Sequence, residues 1–157
     1  MQERAVFAVG HYNQALELAE EINEDDIIIA KLQNSLGIAL KNDGEIQQAI
    51  KWFTQSMMTK MVQKEIKTSD VAKTISNLAT CYFELNNIDK ALDLFNKSLV
   101  KYEDINDHEG IARAHNNVGL CCIEKNQFLE ALKHFEKSVA IRTDKCIIGK
   151  FSKLSHF

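Results

Sequence analysis

Three stretches of this sequence, beginning at Ala30, Ala72 and Ala112, can be written beneath one another without a gap. They read AKLQNSLGIALKNDGEIQQAIKWFTQSM, AKTISNLATCYFELNNIDKALDLFNKSL and ARAHNNVGLCCIEKNQFLEALKHFEKSV. Their starts are almost evenly spaced, and Ala49, Ala91 and Ala131 each fall at the same place in their own unit. A period of roughly 40 residues prescribes equivalent supersecondary units stacked side by side, because each presents the same apolar face and buries it against its neighbours. A single core assembled from distant parts of the chain is not what such a pattern specifies.

Inside each unit the apolar spacing is helical. Leu36, Leu78 and Val118 are followed by Gly37, Ala79 and Gly119, a large residue and then a small one that lets another helix approach closely. Further on stand Gly44, Asn86 and Asn126, residue types that accept left-handed backbone dihedrals and so end one helix and admit the next. The second helix then sets Ala49, Ile50, Phe53 and Met57 at helical spacing, repeated as Ala91, Leu92, Phe95, Leu99 and as Ala131, Leu132, Phe135, Val139. Between units, Asp25-Asp26, Thr68-Ser69-Asp70 and Asn106-Asp107 place short oxygen-bearing side chains just before each first helix, where they are expected to accept from its unpaired amides.

The predicted fold is therefore all-α: one continuous, elongated and curved α-solenoid of antiparallel helix pairs. Its expected divisions are a partial first unit over 1–26, whole units over 27–67, 68–106 and 107–144, and the start of a further helix or a tail over 145–157. The partial unit is read from His11-Tyr12-Asn13-Gln14-Ala15-Leu16, which repeats the second-helix entry, with Ala15 standing one repeat before Ala49. At the other end, Phe151, Leu154 and Phe157 are placed to begin a fourth unit. Both ends read as incomplete, which predicts either a fragment of a larger protein or self-association through those ends.

Composition agrees with helix and narrows the partners. There is no proline in 157 residues, where average usage near 5% would supply about eight. Lys and Arg number 19 against 22 Asp and Glu, a net charge of -3, so no basic excess exists to neutralise a phosphate backbone and no nucleic-acid partner is expected. The longest apolar runs, such as Ile27-Ile28-Ile29-Ala30, fall far short of the roughly 20 residues a spanning helix needs, so no membrane partner is expected either. Four cysteines, two of them adjacent as Cys121-Cys122, make no disulfide framework, and no secretion signal opens the chain. A reducing, cytoplasmic location follows as an expectation.

Counting Ala30, Ala72 and Ala112 as position 1, the units carry Leu36-Gly37, Leu78-Ala79 and Val118-Gly119 at positions 7 and 8, and Tyr82 at position 11 of the middle unit. Ala49, Ala91 and Ala131 fall at 20, Phe53, Phe95 and Phe135 at 24, and Ser56, Ser98 and Ser138 at 27. This register resembles the tetratricopeptide repeat family, which implies that the α-solenoid is a right-handed superhelix. Position 4 departs from it, with Gln33, Ile75 and His115, and its usual proline at 32 is replaced by Met61, Glu103 or Thr143. Without proline the second helix can run on for a turn or two, which is where the residues beyond the family's usual period would go.

The long unit, with Ser-Asn-Leu-Ala at 76–79 or Asn-Asn-Val-Gly at 116–119, is similar to the subclass found in kinesin light chains, spindle adaptors of the Leu-Gly-Asn type, Rap regulators and bacterial sensor kinases. That resemblance implies a non-catalytic protein that binds peptide segments. Members that clamp a chaperone's C-terminal carboxylate are a poorer match. Asn77 and Arg113 fit their pattern, whereas Asn34, Ile38 and Asn117 stand where it has Lys, Asn and Arg.

Nothing in the residue pattern points to catalysis. Phosphate-binding loops and nucleophile elbows need closely spaced glycines, and Gly10, Gly37, Gly44, Gly110, Gly119 and Gly149 are dispersed. The five histidines, His11, His108, His115, His134 and His156, make no pair at metal-ligand spacing with a cysteine or carboxylate, so neither a metal nor a cofactor is expected. Cys81 and Cys121 share the position of Ala39, a small packing slot. Cys122 and Cys146 are less constrained, and neither has an adjacent base.

What remains is the concave face lined by the first helices, where positions 2, 5, 6, 9, 12 and 13 share one side. Position 2 is Lys31, Lys73 and Arg113; positions 5 and 6 are Asn34-Ser35, Ser76-Asn77 and Asn116-Asn117. Carboxamides offer a donor and an acceptor to an extended main chain, and the cations suit acidic side chains. Ile38, Thr80, Leu120, Phe83 and Ile123 continue the floor as apolar pockets. The expected function is a non-enzymatic adaptor that grips an extended, acidic protein segment in this groove. Two alternatives stand beside it: a peptide-sensing or regulatory portion of a larger signalling protein, and a structural assembly subunit that uses its convex or terminal faces.

Overall fold

The computed structural model describes the backbone of residues 2–63 and 66–154 and the side chains of residues 7–63 and 66–143. Among the described residues all regular structure is helical, in the order α1 (Gln2–Glu21), α2 (Asp26–Asn42), α3 (Ile46–Val62), α4 (Thr68–Glu84), α5 (Ile88–Asp104), α6 (His108–Glu124) and α7 (Phe128–Leu154). Helices α3 and α5 continue through Met61 and Glu103, the places where a proline would have stopped them. The side chains of Phe151, Leu154 and Phe157, the basis for expecting a fourth unit, lie outside the described residues.

The turns follow one recipe. Gly44, Asn86 and Asn126 adopt φ of 89°, 58° and 59°, as expected of the residues that close each hairpin. The next amide then reaches back over the helix end: Glu45 donates to the Leu40 carbonyl at 2.9 Å, Asn87 to Tyr82 at 2.8 Å and Gln127 to Cys122 at 2.8 Å. This satisfies carbonyls that a helix end leaves bare. Asn23 and Asn106, with φ of 51° and 53°, make the same turn between units, where the repeat pattern alone does not announce it.

The starts of the first helices are less uniform. Asp25 accepts from the Ile27 amide at 2.8 Å and Asp107 from the Gly110 amide at 3.0 Å, as expected of caps. Helix α4 departs from the expectation: its cap residue is Lys67, with no side-chain bond, and Thr68, Ser69 and Asp70 already lie inside the first turn. The Asp70 carbonyl is engaged by the Thr74 hydroxyl one turn on, so Asp70 assists the helix by its charge near the amide end rather than as a cap.

Packing within a hairpin rests on one aromatic ring against one small residue. Phe53 is fully buried, and a Cβ added at Gly37 would sit 2.8 Å from its ring; at Gly119 it would sit 2.7 Å from Phe135. Ser56 and Ser138 donate to the buried Ala30 and Ala112 carbonyls, while Ser98 turns back to the Phe95 carbonyl at 2.8 Å. Each helix packs on its neighbours in sequence, and beyond these contacts α2 meets α4 and α4 meets α6. The first helices are thus drawn together in an inner row while α3, α5 and α7 splay outward, which is the geometry of a concave face lined by α2, α4 and α6.

At the α7 end the apolar stripe lacks a cover among the described residues. Leu99 is 9% exposed, whereas its counterpart Val139 is 61% exposed. The position-4 departure also finds its place here. His115, buried on α6, lies with its Nδ1 3.0 Å from Nδ1 of His134 on α7. Burial holds both imidazoles below the ordinary histidine range; the Lys137 charge acts the same way on both, and Glu130 opposes it at His134.

Removing one of the packing rings tests this arrangement. Phe95→Ala, opening a cavity in the middle unit, should cost about 3–5 kcal/mol in urea unfolding; a loss under about 1 kcal/mol would show that the ring does not hold the hairpin. The histidine pair makes a separate, pH-dependent contribution. Because the folded histidines take up protons less readily than unfolded ones, stability should be full above about pH 6.5 and fall as the pH drops below it. Thermal melts on either side of that value measure this, and His134→Gln should flatten the difference.

Candidate functional site: the inner groove

Lys31, Lys73 and Arg113 are the cations expected to line the groove. Lys31 on α2, Lys73 on α4 and Arg113 on α6 are all exposed. Lys73 also stands 3.9 Å from the Asp70 carboxylate, a solvent-exposed pair of small energetic consequence. Asn34, Ser35, Ser76, Asn77, Asn116 and Asn117 are half-buried between them.

Part of the carboxamide ladder is bound up internally. Asn34 Oδ1 accepts from the Asn77 amide at 3.4 Å and lies 3.1 Å from the Thr74 hydroxyl oxygen, whose single hydrogen is shared between it and the Asp70 carbonyl, so one end of each carboxamide links α2 to α4. Beneath them lies Lys60, from the last turn of α3, only 4% exposed and donating to Thr74 Oγ1 at 2.8 Å. Burial pulls the Lys60 ammonium below the usual lysine range; Asp70 opposes this, and Lys31 and Lys73 add to it. Sequence reasoning missed Lys60. The available signal was position 31, which carries Lys60, Tyr102 and Arg142 in the three units, a hydrogen-bonding group each time near the end of an otherwise amphipathic helix.

Two hollows open between α4 and α6. One, of about 160 Å³, is lined by Lys73, Ser76, Asn77, Thr80, Tyr102, Arg113 and Asn117. The other, of about 300 Å³, is lined by Thr80, Phe83, Glu84, Phe95, Asn117 and Leu120. Phe83 and Leu120, expected to line apolar pockets of the floor, lie in the second hollow beside the polar Thr80 and Asn117. Ile38 and Ile123, 37% and 40% exposed, line neither of these two. Glu84, paired with Lys41 at 3.7 Å across the first helices, places an acid at the edge of the apolar hollow.

Among the described residues the three thiols are buried. Burial pushes Cys81 and Cys121 up to about 11 and raises Cys122 as well. Cys122, expected to be less constrained, is 3% exposed, because the turn of α6 that carries it faces α7. Among the described residues no group of three or more His, Cys, Asp or Glu is arranged to hold a metal ion, and no helix is long and apolar enough to cross a membrane.

The Tetratricopeptide repeat family pattern matches residues 70–144. Residues 70–144 carry tetratricopeptide repeats. The protein FLUORESCENT IN BLUE LIGHT, chloroplastic, of Arabidopsis thaliana is 27% identical over 96 residues, 61% of this chain and 29% of that protein, so the chain spans less than a third of that relative. Among solved structures, the helical array superimposes on BtubC (BKLC) from P. vanneervenii with a TM-score of 0.80 at 20% identity, covering 90% of this chain and 57% of that one. A Podosopora anserina putative kinesin light chain with TPR-like repeats gives 0.72 at 15% identity, covering 91% and 69%. The Rap conjugation gene regulator of plasmid pLS20 in complex with the Phr* peptide gives 0.76 at 16% identity, covering 88% and 38%. These likenesses establish the shared fold, an all-α solenoid of helical repeats.

With thiols held this far from ionising, Cys81, Cys121 and Cys122 should resist a thiol-specific reagent at mildly alkaline pH in the folded array and react once it is unfolded in urea. Mass mapping of the modified residues reads this, and rapid labelling of Cys81 in the native state would contradict the packing described.

Proposed function

We propose that this tetratricopeptide array is a non-catalytic protein-interaction module that binds an extended, acidic segment of another protein along the inner groove. The observation that carries the reading is the row of exposed cations Lys31, Lys73 and Arg113, one per first helix, above half-buried carboxamides and the polar hollow between α4 and α6. The cations attract acidic side chains, Asn116 and Asn117 meet main chain, and the hollow lined by Phe83 and Leu120 takes an apolar side chain. We place the protein in a reducing, cytoplasmic setting, supported by the three buried free thiols among the described residues.

A second reading, the peptide-sensing or regulatory part of a larger signalling protein, draws support from the pLS20 Rap regulator. It holds a peptide and shares this fold, while the present chain spans 38% of it. A structural use is supported by the apolar residues exposed on α7, Phe128, Leu129, Leu132 and Val139, through which the array would associate with itself.

The groove reading is tested on an array of extended peptides of varied charge, probed with the unaltered chain and with a Lys31→Glu, Lys73→Glu, Arg113→Glu variant of matched helicity. The unaltered chain should select acidic sequences, more weakly as salt is raised. The variant should bind them about 10–100-fold less, as expected when exposed ion pairs of up to about 1 kcal/mol each are reversed. Equal binding by both would move the site to the convex or terminal faces.

A further inference from the structure

Second helices form the outer row of the solenoid, yet at position 31 each of two units sends one polar atom under the floor of the inner groove. In the first, Lys60 reaches inward to the junction of α2 with α4 and donates there to Thr74. In the second, Tyr102 does the equivalent at the junction of α4 with α6. Its ring is 2% exposed, packed where a Cβ on Gly110 would overlap it, and its hydroxyl faces the side chains of Ser76 and Arg113.

Above Tyr102 lies the hollow of about 160 Å³, walled by Lys73 on one side and Arg113 on the other. The space has room for one small head group together with water. Its lining holds two cations and the neutral polar groups of Ser76, Asn77, Thr80, Tyr102 and Asn117, and no acid. The Tyr102 phenol, protonated at neutral pH like any tyrosine, is a donor; burial raises its pKa further. Two opposed cations over a fixed neutral donor are the requirements of an oxyanion site.

We infer that this hollow is a discrete subsite for a single oxyanion borne by a side chain of the bound segment, a carboxylate or a phosphoryl group, held between Lys73 and Arg113 with the Tyr102 hydroxyl donating from below. The inference rests on the groove reading and sharpens it: the acidic segment is anchored at one position in register, not attracted along its length. Tyr102 is then the specificity-determining residue, since the exposed cations would accept any nearby anion.

The test is a titration of the isotopically labelled full chain, followed by amide chemical shifts, with three blocked tripeptides: Gly-Glu-Gly, Gly-phosphoserine-Gly and Gly-Gln-Gly. The acidic peptides should perturb Ser76, Asn77, Thr80 and Asn117 together and saturate with one affinity, and the Gln peptide should leave them unmoved. Whichever of Glu and phosphoserine binds more tightly names the source of the anion. Tyr102→Phe, which keeps the ring against Gly110 and removes only the hydroxyl, should weaken the tighter peptide about tenfold, the effect of losing one hydrogen bond to a charged group.

Perturbations spread evenly beside Lys31, Lys73 and Arg113, with Tyr102→Phe binding as the unaltered chain does, would overturn the subsite and leave the groove reading standing. The absence of any perturbation by either acidic peptide would overturn the subsite; if the charge-reversed variant also fails to lose acidic sequences on the peptide array, the groove reading falls separately.

Discussion

The contact between an aromatic ring at position 24 and a residue with little or no side chain at position 8 is the constraint on which this array depends. Phe53 lies on Gly37 and Phe135 on Gly119 at distances that leave no room for another carbon. Phe95 is buried in the same way in a unit that carries Ala79. The ring fills the space between the two helices of a hairpin, and the small residue sets how closely they cross. Because that geometry recurs, each hairpin presents the same apolar edge to the next, and stacking follows without any long-range closure.

Once the hairpins stack, the inner row is fixed by elimination. Second helices are held apart, first helices α2, α4 and α6 touch in turn, and the side of the first helices facing away from their partners becomes the groove. Its electrostatics arise from one exposed cation per helix and from what lies beneath. Lys60 and Tyr102, both almost fully buried, bring polar atoms up from the outer row at the two junctions. The chain's net charge of -3 gives no hint of this, since a sum over the chain carries no positions.

Much of this is legible in the order of the amino acids. The left-handed turns at Gly44, Asn86 and Asn126 can be read because few residues tolerate that backbone conformation, and the buried alanines and phenylalanines because they repeat at a helical period. The cations of position 2 stand out as a row because three units place them in register. The start of α4 is not legible in this way: Thr68-Ser69-Asp70 offers three acceptable capping residues, and local chemistry does not say where the preceding link delivers the chain. Cys122 carries no local sign of its burial, which depends on α7, a separate helix. The closure of Asn34 against Asn77, residues in adjacent units, is hidden for the same reason.

The sequence by itself determined the architecture: a regular period, a small residue for every ring and an Asn or Gly for every tight turn leave helical hairpins in a stack as the arrangement that buries each apolar face. Those are local rules, repeated, and they need no knowledge of distant contacts. Only the tertiary structure decided which polar groups meet. Lys60 with Thr74, Tyr102 with Ser76 and Arg113, and His115 with His134 are pairings across helices. Their geometry depends on the rise and rotation from one helix to the next, and a linear pattern fixes those quantities too loosely to place two side-chain atoms within hydrogen-bonding reach.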